Sequence, residues 1–166
     1  MFKYNIIGVL LMCLVSLLPT PAYAHGKVDR VVVRKSEREM DLMSKNEIVR
    51  SYRISLGANP VGHKIQEGDE RTPEGRYTID YRNPKSRYHL ALHISYPDAE
   101  DNKRAKAKHL RPGGMIMIHG SPNSWGWAES LLKASDWTNG CIAVSNAEID
   151  EIWTLVKDGT PIVIQP

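Results

Sequence analysis

The sequence predicts a single, mainly β domain with a few helices, arranged as a sandwich or meander of strands. Three observations predict it. Apolar residues alternate with period two through much of residues 28–118. Clusters of Gly, Pro, Asn and charged residues punctuate these runs. The period lengthens to that of a helix only near the C-terminus, over residues 145–156.

Val28 to Lys35, with Val31-Val32-Val33 at its centre, reads as the first strand. Glu39 to Ser44 follows, placing Met40, Leu42 and Ser44 on one face and Asp41 and Met43 on the other. Lys45-Asn46 supplies a tight turn into Ile48 to Leu56, where Ile48, Arg50, Tyr52, Ile54 and Leu56 share a face. Residues 57–75, rich in Gly, Pro and charge, form a long loop. Further strands are expected at Arg76 to Tyr81, Tyr88 to Ile94 and Met115 to Ile118, and a short helix near Trp127 to Lys133. Ser145-Asn146-Ala147-Glu148 fits a capping box, in which each end residue satisfies an amide of the other. Ile149, Ile152, Trp153 and Val156 then recur at i, i+3, i+4 and i+7, the stripe of an amphipathic helix. Asp158-Gly159 ends it, and Pro161 to Gln165 returns as a last strand.

The N-terminus reads as a secretory leader: Lys3, then an apolar run from Ile6 to Leu18, then Pro19 and the small-residue site Ala22-Tyr23-Ala24. That run is shorter than the ~20 residues needed to span a bilayer. Cleavage after Ala24 leaves residues 25–166 as one exported domain with no stable membrane span. Cys13 would leave with the leader, so Cys141 would be the one remaining thiol. The formal charge of +3 argues against a nucleic-acid partner, which calls for a strongly basic surface. Five cations do gather between Lys103 and Arg111, which reads as a solvated loop or short helix face.

An unpaired thiol in an exported chain is either an inert buried side chain or a nucleophile. Its surroundings favour the second. His119 ends the apolar run Ile116-Met117-Ile118 and is followed by Gly120; Cys141 ends Thr138-Asn139-Gly140-Cys141. A thiol becomes an acyl-transfer nucleophile once a neighbouring imidazole takes its proton, and a thiolate–imidazolium pair with a depressed thiol pKa is the expectation. Gly120 would leave room for an approaching backbone or substrate. Gly140 would let the chain turn tightly and aim the amides of Gly140 and Cys141 at a developing oxyanion. Thr138 or a backbone carbonyl would orient the His119 ring. His89 and His93 share a strand face, but too few partners accompany them to suggest a metal, and no cofactor is called for. His93 is expected to line the cleft, His89 to be structural or exposed, and His63 to be solvated. Trp125, Trp127 and Trp137 would form a lid over the sheet or a sugar platform, and Ser121-Pro122-Asn123-Ser124 a loop at the cleft.

These motifs resemble those of the L,D-transpeptidase (YkuD-type) catalytic domain family. The matching residues are His119-Gly120 and the Thr138 to Cys141 block, supported by Arg71-Thr72-Pro73-Glu74-Gly75 and His89 to Pro97. The likeness covers roughly Val28 to Ile164. Asn139 stands where the family usually has histidine, and Ala143 where many members carry arginine or asparagine. Asp136-Trp137-Thr138-Asn139-Gly140-Cys141-Ile142-Ala143-Val144 is similar to the YafK-like branch, which implies hydrolases as well as transferases.

The resemblance implies a periplasmic enzyme of cell-wall biogenesis and cell shape, acting on peptidoglycan stem peptides. Cys141 would attack the third-position diaminopimelate carbonyl and expel D-alanine, with His119 as base and acid and an amine as acceptor. His93, Gly120, Ser121, Asn139 and Trp137 would contact substrate. The alternatives are a carboxypeptidase, an amidase releasing murein-attached lipoprotein, or a catalytically silent murein-binding module.

Overall fold

The computed structural model describes residues 27–166. The expected leader, residues 1–24 with Cys13, lies outside them. Eight strands form one sheet in the order β3-β2-β1-β8-β4-β5-β6-β7. β1 (Arg30–Arg34), β2 (Glu39–Ser44) and β3 (Glu47–Arg53) are an antiparallel meander. β8 (Thr160–Gln165) runs parallel to β1 and antiparallel to β4 (Gly75–Ser86). β5 (His89–Ile94) joins β4 to β6 (Met117–His119), and β6 pairs in parallel with β7 (Ile142–Ala143).

The expected sandwich or meander is therefore a single curled sheet, and the chain just beyond β3 closes it. The Ser55 and Ala143 amides each donate to the other's carbonyl, at 2.9 and 2.8 Å. Thr138 N–H donates to Leu56 O (3.1 Å) and Ala58 N–H to Thr138 O (2.9 Å). These bonds satisfy edge groups that would otherwise be left bare. The core fills the curl with Val31, Val33, Met40, Leu42, Leu56, Ile79, Leu92, Ile118, Ile142 and Ile162, all buried.

Helix α3 (Asn146–Leu155) packs on β5 and β6 and carries the expected capping box. Ile149 and Ile152 are fully buried, each stabilising the packing by about 2 kcal/mol. Glu148 also forms an ion pair with Lys133 (2.7 Å). The expected short helix is a 3₁₀ turn (Gly126–Ala128) leading into helix α2 (Glu129–Leu132). Among the described residues no helix is long and apolar enough to cross a membrane.

Met40 to Met43 are all buried, so β2 is covered on both faces. Asp41 is tolerated there because Arg34 reaches it at 2.5 Å. The basic cluster begins on helix α1 (Ala99–Ala107), whose capping box is built from two aspartates, Asp98 and Asp101. This helix buries only Asp101 and Ala105, so it has no apolar stripe to betray it. His63, expected in solvent, is a structural junction. Its ring bonds to the Glu74 backbone (2.9 and 3.0 Å) and lies 3.0 Å from Asp101.

Candidate active site

The register Ala91↔His119 and Ile118↔Ile142 sets His119 at the end of β6, beside the segment that carries Cys141 into β7. Both side chains line one cleft of about 610 Å³, walled by the β4–β5 hairpin, by Met115 and by Trp137. His119 is 4% exposed, while Cys141 is partly buried. The His119 ring sits between Tyr88 (centroids 4.6 Å apart) and Trp137 (5.7 Å, edge to face). Its Nδ1 lies 2.7 Å from the Gly120 carbonyl. A carbonyl can only accept, so Nδ1 carries the proton and Nε2 has the free lone pair.

A carbonyl therefore orients the ring, and the Thr138 hydroxyl works elsewhere. It donates to Cys141 O (2.8 Å) and accepts from Gly140 N–H (3.1 Å), tying the turn before Cys141 into a fixed shape. Thr72 Oγ1 supports the same carbonyl from 3.5 Å and accepts Gly57 N–H at 3.1 Å. Gly140 has φ +119°, and a Cβ there would stand 2.6 Å from Arg71 O, so a side chain at this position is excluded by both conformation and space. The Gly140 amide, engaged by Thr138, is not free to meet an oxyanion. Thr72 is in turn held by the buried Lys35, whose ammonium donates to Thr72 O (2.9 Å), Gly62 O (2.7 Å) and Glu74 (2.8 Å). Burial still pulls the Lys35 pKa below its usual value, against the pull of Glu74.

The charge state differs from the expected ion pair. Burial pushes the Cys141 thiol above its ordinary value, opposed more weakly by the Met117 backbone amide and the Lys64 charge. Burial likewise lowers His119, against the hydrogen bond to Gly120 that favours its protonation. Both shifts favour a resting pair of neutral thiol and neutral imidazole.

Cys141, His119, Thr138, Asn139 and Trp137 all meet at the cleft, with Asn139 exposed at its rim. Gly120 and Ser121 do not open onto it. A Cβ on Gly120 would come within 2.5 Å of Asn146 Oδ1 and 3.1 Å of Ile149 Cγ2, so the glycine lets β6 pack on α3 rather than admitting substrate. Ser121 is 2% exposed and its amide donates to Asn146 Oδ1 (2.9 Å). His93 lies outside the cleft lining, bonded to Asp80 (2.6 Å) and stacked on Tyr81 (4.4 Å). His89 pairs with Asp150 (2.8 Å). Ala143 faces a small internal void beside Ser55, Ser121 and Trp137, not the cleft.

Sequence reasoning missed Tyr88, Met115, Lys85 and Arg87. The pairing of β5 with β6 brings Tyr88 to His119, a relation that linear spacing does not carry. Trp125 and Trp127 are exposed on the segment between the two motifs, and neither lines the cleft.

A histidine and a cysteine thus share one cleft of a curled sheet. Comparison with known proteins places the chain in a family. Residues 28–164 match the YkuD family, described as the L,D-transpeptidase catalytic domain, and the chain belongs to that family. It is 31% identical over 156 residues to the Escherichia coli K12 protein named "Putative L,D-transpeptidase YafK", covering 90% of this chain and 52% of that one. The chain thus spans about half the length of this curated relative. Bd1075 from Bdellovibrio bacteriovorus superposes with a TM-score of 0.60 at 25% identity, over 85% of this chain and 48% of that one. The helical cell shape determining protein Pgp2 from Campylobacter jejuni gives 0.60 at 23%, over 84% and 51%. An L,D-transpeptidase from Mycobacterium smegmatis gives 0.54 at 16%, over 82% and 58%. The last two likenesses concern the fold alone.

Proposed function

We propose that this domain is a cysteine L,D-transpeptidase acting on peptidoglycan stem peptides in the periplasm, exported by a leader spanning residues 1–24. The observation that carries this reading is that His119 and Cys141 line one cleft, with the imidazole turned by Gly120 O and the thiol's turn fixed by Thr138.

The donor is a tetrapeptide stem. His119 Nε2 takes the Cys141 proton as Sγ attacks the carbonyl of the third residue, diaminopimelate. The Cys141 amide stabilises the tetrahedral oxyanion, an interaction worth about 3 kcal/mol. As the C–N bond breaks, the imidazolium returns that proton to the departing D-alanine amine, leaving a thioester. An acceptor amine then adds to the thioester, gives a proton to His119, and expels the thiol as a new amide forms. Trp137 and Asn139 flank the path of the peptide, and Tyr88 holds the imidazole against rotation. Gly120 and Ser121 act from behind the site, and His93 has no role in it.

The test is mass spectrometry of muropeptides after incubating the protein with a disaccharide-tetrapeptide. Dimers formed with loss of D-alanine, absent with Cys141→Ser, support the proposal. Tripeptide monomers alone would make water the acceptor and the enzyme a carboxypeptidase. An unaltered substrate would move the search to murein carrying attached lipoprotein, where release would mark an amidase. If that too stays intact, a silent murein-binding module is the remaining reading.

A further inference from the structure

The cleft is electrically one-sided. Its lining contains no Asp or Glu, while two cations, Lys85 and Arg87, both face it from the β4–β5 hairpin. Among the described residues neither forms a salt bridge, although most other arginines of the domain do. Their backbone is also anchored to the catalytic strand. Asn123, four residues after His119, donates its amide to Arg87 O (3.0 Å) and its side chain to Ser86 O (3.1 Å), and accepts from His89 N–H (2.8 Å). Ser86 Oγ accepts Tyr88 N–H at 2.9 Å. Tyr88, between these cations and the imidazole, touches the His119 ring. Two unpaired cations are thus held on a braced turn facing the thiol and base.

We infer that Lys85 and Arg87 form a carboxylate-binding subsite that takes the terminal carboxylate of the donor peptide. This rests on the reading of the cleft as the acyl-transfer site. The position in the strand that follows the nucleophile cannot do this work, because Ala143 has no charge and faces away from the cleft. A guanidinium matches a carboxylate through two parallel N–H···O bonds, and the lysine adds a point charge. Both side chains are exposed, so the attraction is moderate and screened by salt. Asn123 is a positioning residue: it sets where the cations stand without touching the ligand.

A test that needs no turnover uses two small alkylating agents of similar shape, anionic iodoacetate and neutral iodoacetamide. The rate of each at Cys141 is followed by mass spectrometry of the Cys141 peptide, and their ratio cancels any change in the thiol itself. Relative to wild type, Lys85→Gln/Arg87→Gln is expected to lower the iodoacetate-to-iodoacetamide ratio by about 5-fold at low ionic strength, with the gap closing near ~0.5 M salt. Asn123→Ala lowers it part-way. A ratio unchanged by the double substitution, or a drop that persists in high salt, overturns the subsite. The companion assay compares tetrapeptide stems with a free and an amidated terminal carboxyl. The double variant should raise KM for the free acid only, and an equal rise for both also overturns the proposal. If wild type turns over neither stem while the alkylation ratio behaves as expected, the transpeptidase reading fails and the anion subsite stands.

Discussion

Thr138→Val removes one hydroxyl and little else, since valine has nearly the same shape. In the native domain that hydroxyl serves two backbone groups, donating to Cys141 O and accepting from Gly140 N–H, and the residue is 4% exposed. After substitution the buried Gly140 amide has no acceptor, at a cost of about 1–3 kcal/mol, and the lost bond to Cys141 O adds about 1 kcal/mol. Thr72 remains 3.5 Å from that carbonyl and offsets little. The total of roughly 2–4 kcal/mol corresponds to a fall in Tm of about 6–12 °C for a domain of this size. The Cys141 amide also loses its fixed direction, and kcat/KM should drop on the order of 10- to 100-fold, as expected when a reacting group is displaced by about an ångström. Calorimetry and transpeptidation of a tetrapeptide stem measure the two effects. Thr138→Ser keeps the hydroxyl and should retain most of both. A valine variant with native Tm and turnover, or a serine variant as damaged as valine, would refute the assignment of Thr138 as the clamp of the nucleophile turn.

Four more outcomes follow from the geometry and charge. The pH profile of kcat/KM should have an acid limb below the ordinary imidazole value of 6.5, because His119 is held neutral by burial; a limb above 6.5 would contradict its environment. The same depression means that the folded state binds fewer protons at this site than the unfolded chain, so its contribution to stability is present above pH 6.5 and is lost as pH falls through the folded pKa; His119→Gln should flatten that part of a stability-versus-pH curve. Gly120→Ala forces a methyl against Asn146 and Ile149 and should cost about 1–3 kcal/mol, with turnover at low temperature much less affected. Glu148 is buried enough to raise its pKa, but Lys133 and Ser145 outweigh that and hold it below the usual carboxylate range. Its stabilisation is therefore present above the unfolded carboxyl pKa and lost as pH falls through the lower folded one. Glu148→Gln should destabilise by about 1 kcal/mol at pH 7 and by less in acid, a difference that urea titrations at two pH values would read.

The elements most legible in the sequence were those whose pattern is local. Glu39–Ser44 and the Ser145 capping box could be placed from period and end residues alone, because alternation and capping act within a few positions. Helix α1 was legible only as one of two readings of the basic run, for the opposite reason: it is stabilised by Asp98, Asp101 and Tyr77 rather than by an apolar face. At the site, His119 and Cys141 stood out by chemistry and by their flanking glycines. The partners that tune them did not. Tyr88 reaches His119 through strand pairing, and Thr72 reaches the nucleophile's carbonyl across the closed edge of the sheet. His93 was misplaced because alternation gives a strand face but not the neighbour that claims it, here Asp80 and Tyr81. The pKa of the thiol was misjudged for a similar reason, since a sequence names the imidazole but not how much water is excluded around both groups.

The bonds between residues 55–58 and 138–143 also shape the segment that ends at Cys141. They join segments about eighty residues apart, and such long-range closures form late, after the local hairpins. Until they form, the nucleophile's turn lacks the strand edge against which it is shaped, and Thr72 cannot reach the carbonyl behind the sulfur. A half-folded molecule therefore carries a thiol with no organised oxyanion donor. Under the proposed function, the last seam of the sheet is an assembly check that withholds acyl transfer from chains that have not finished folding.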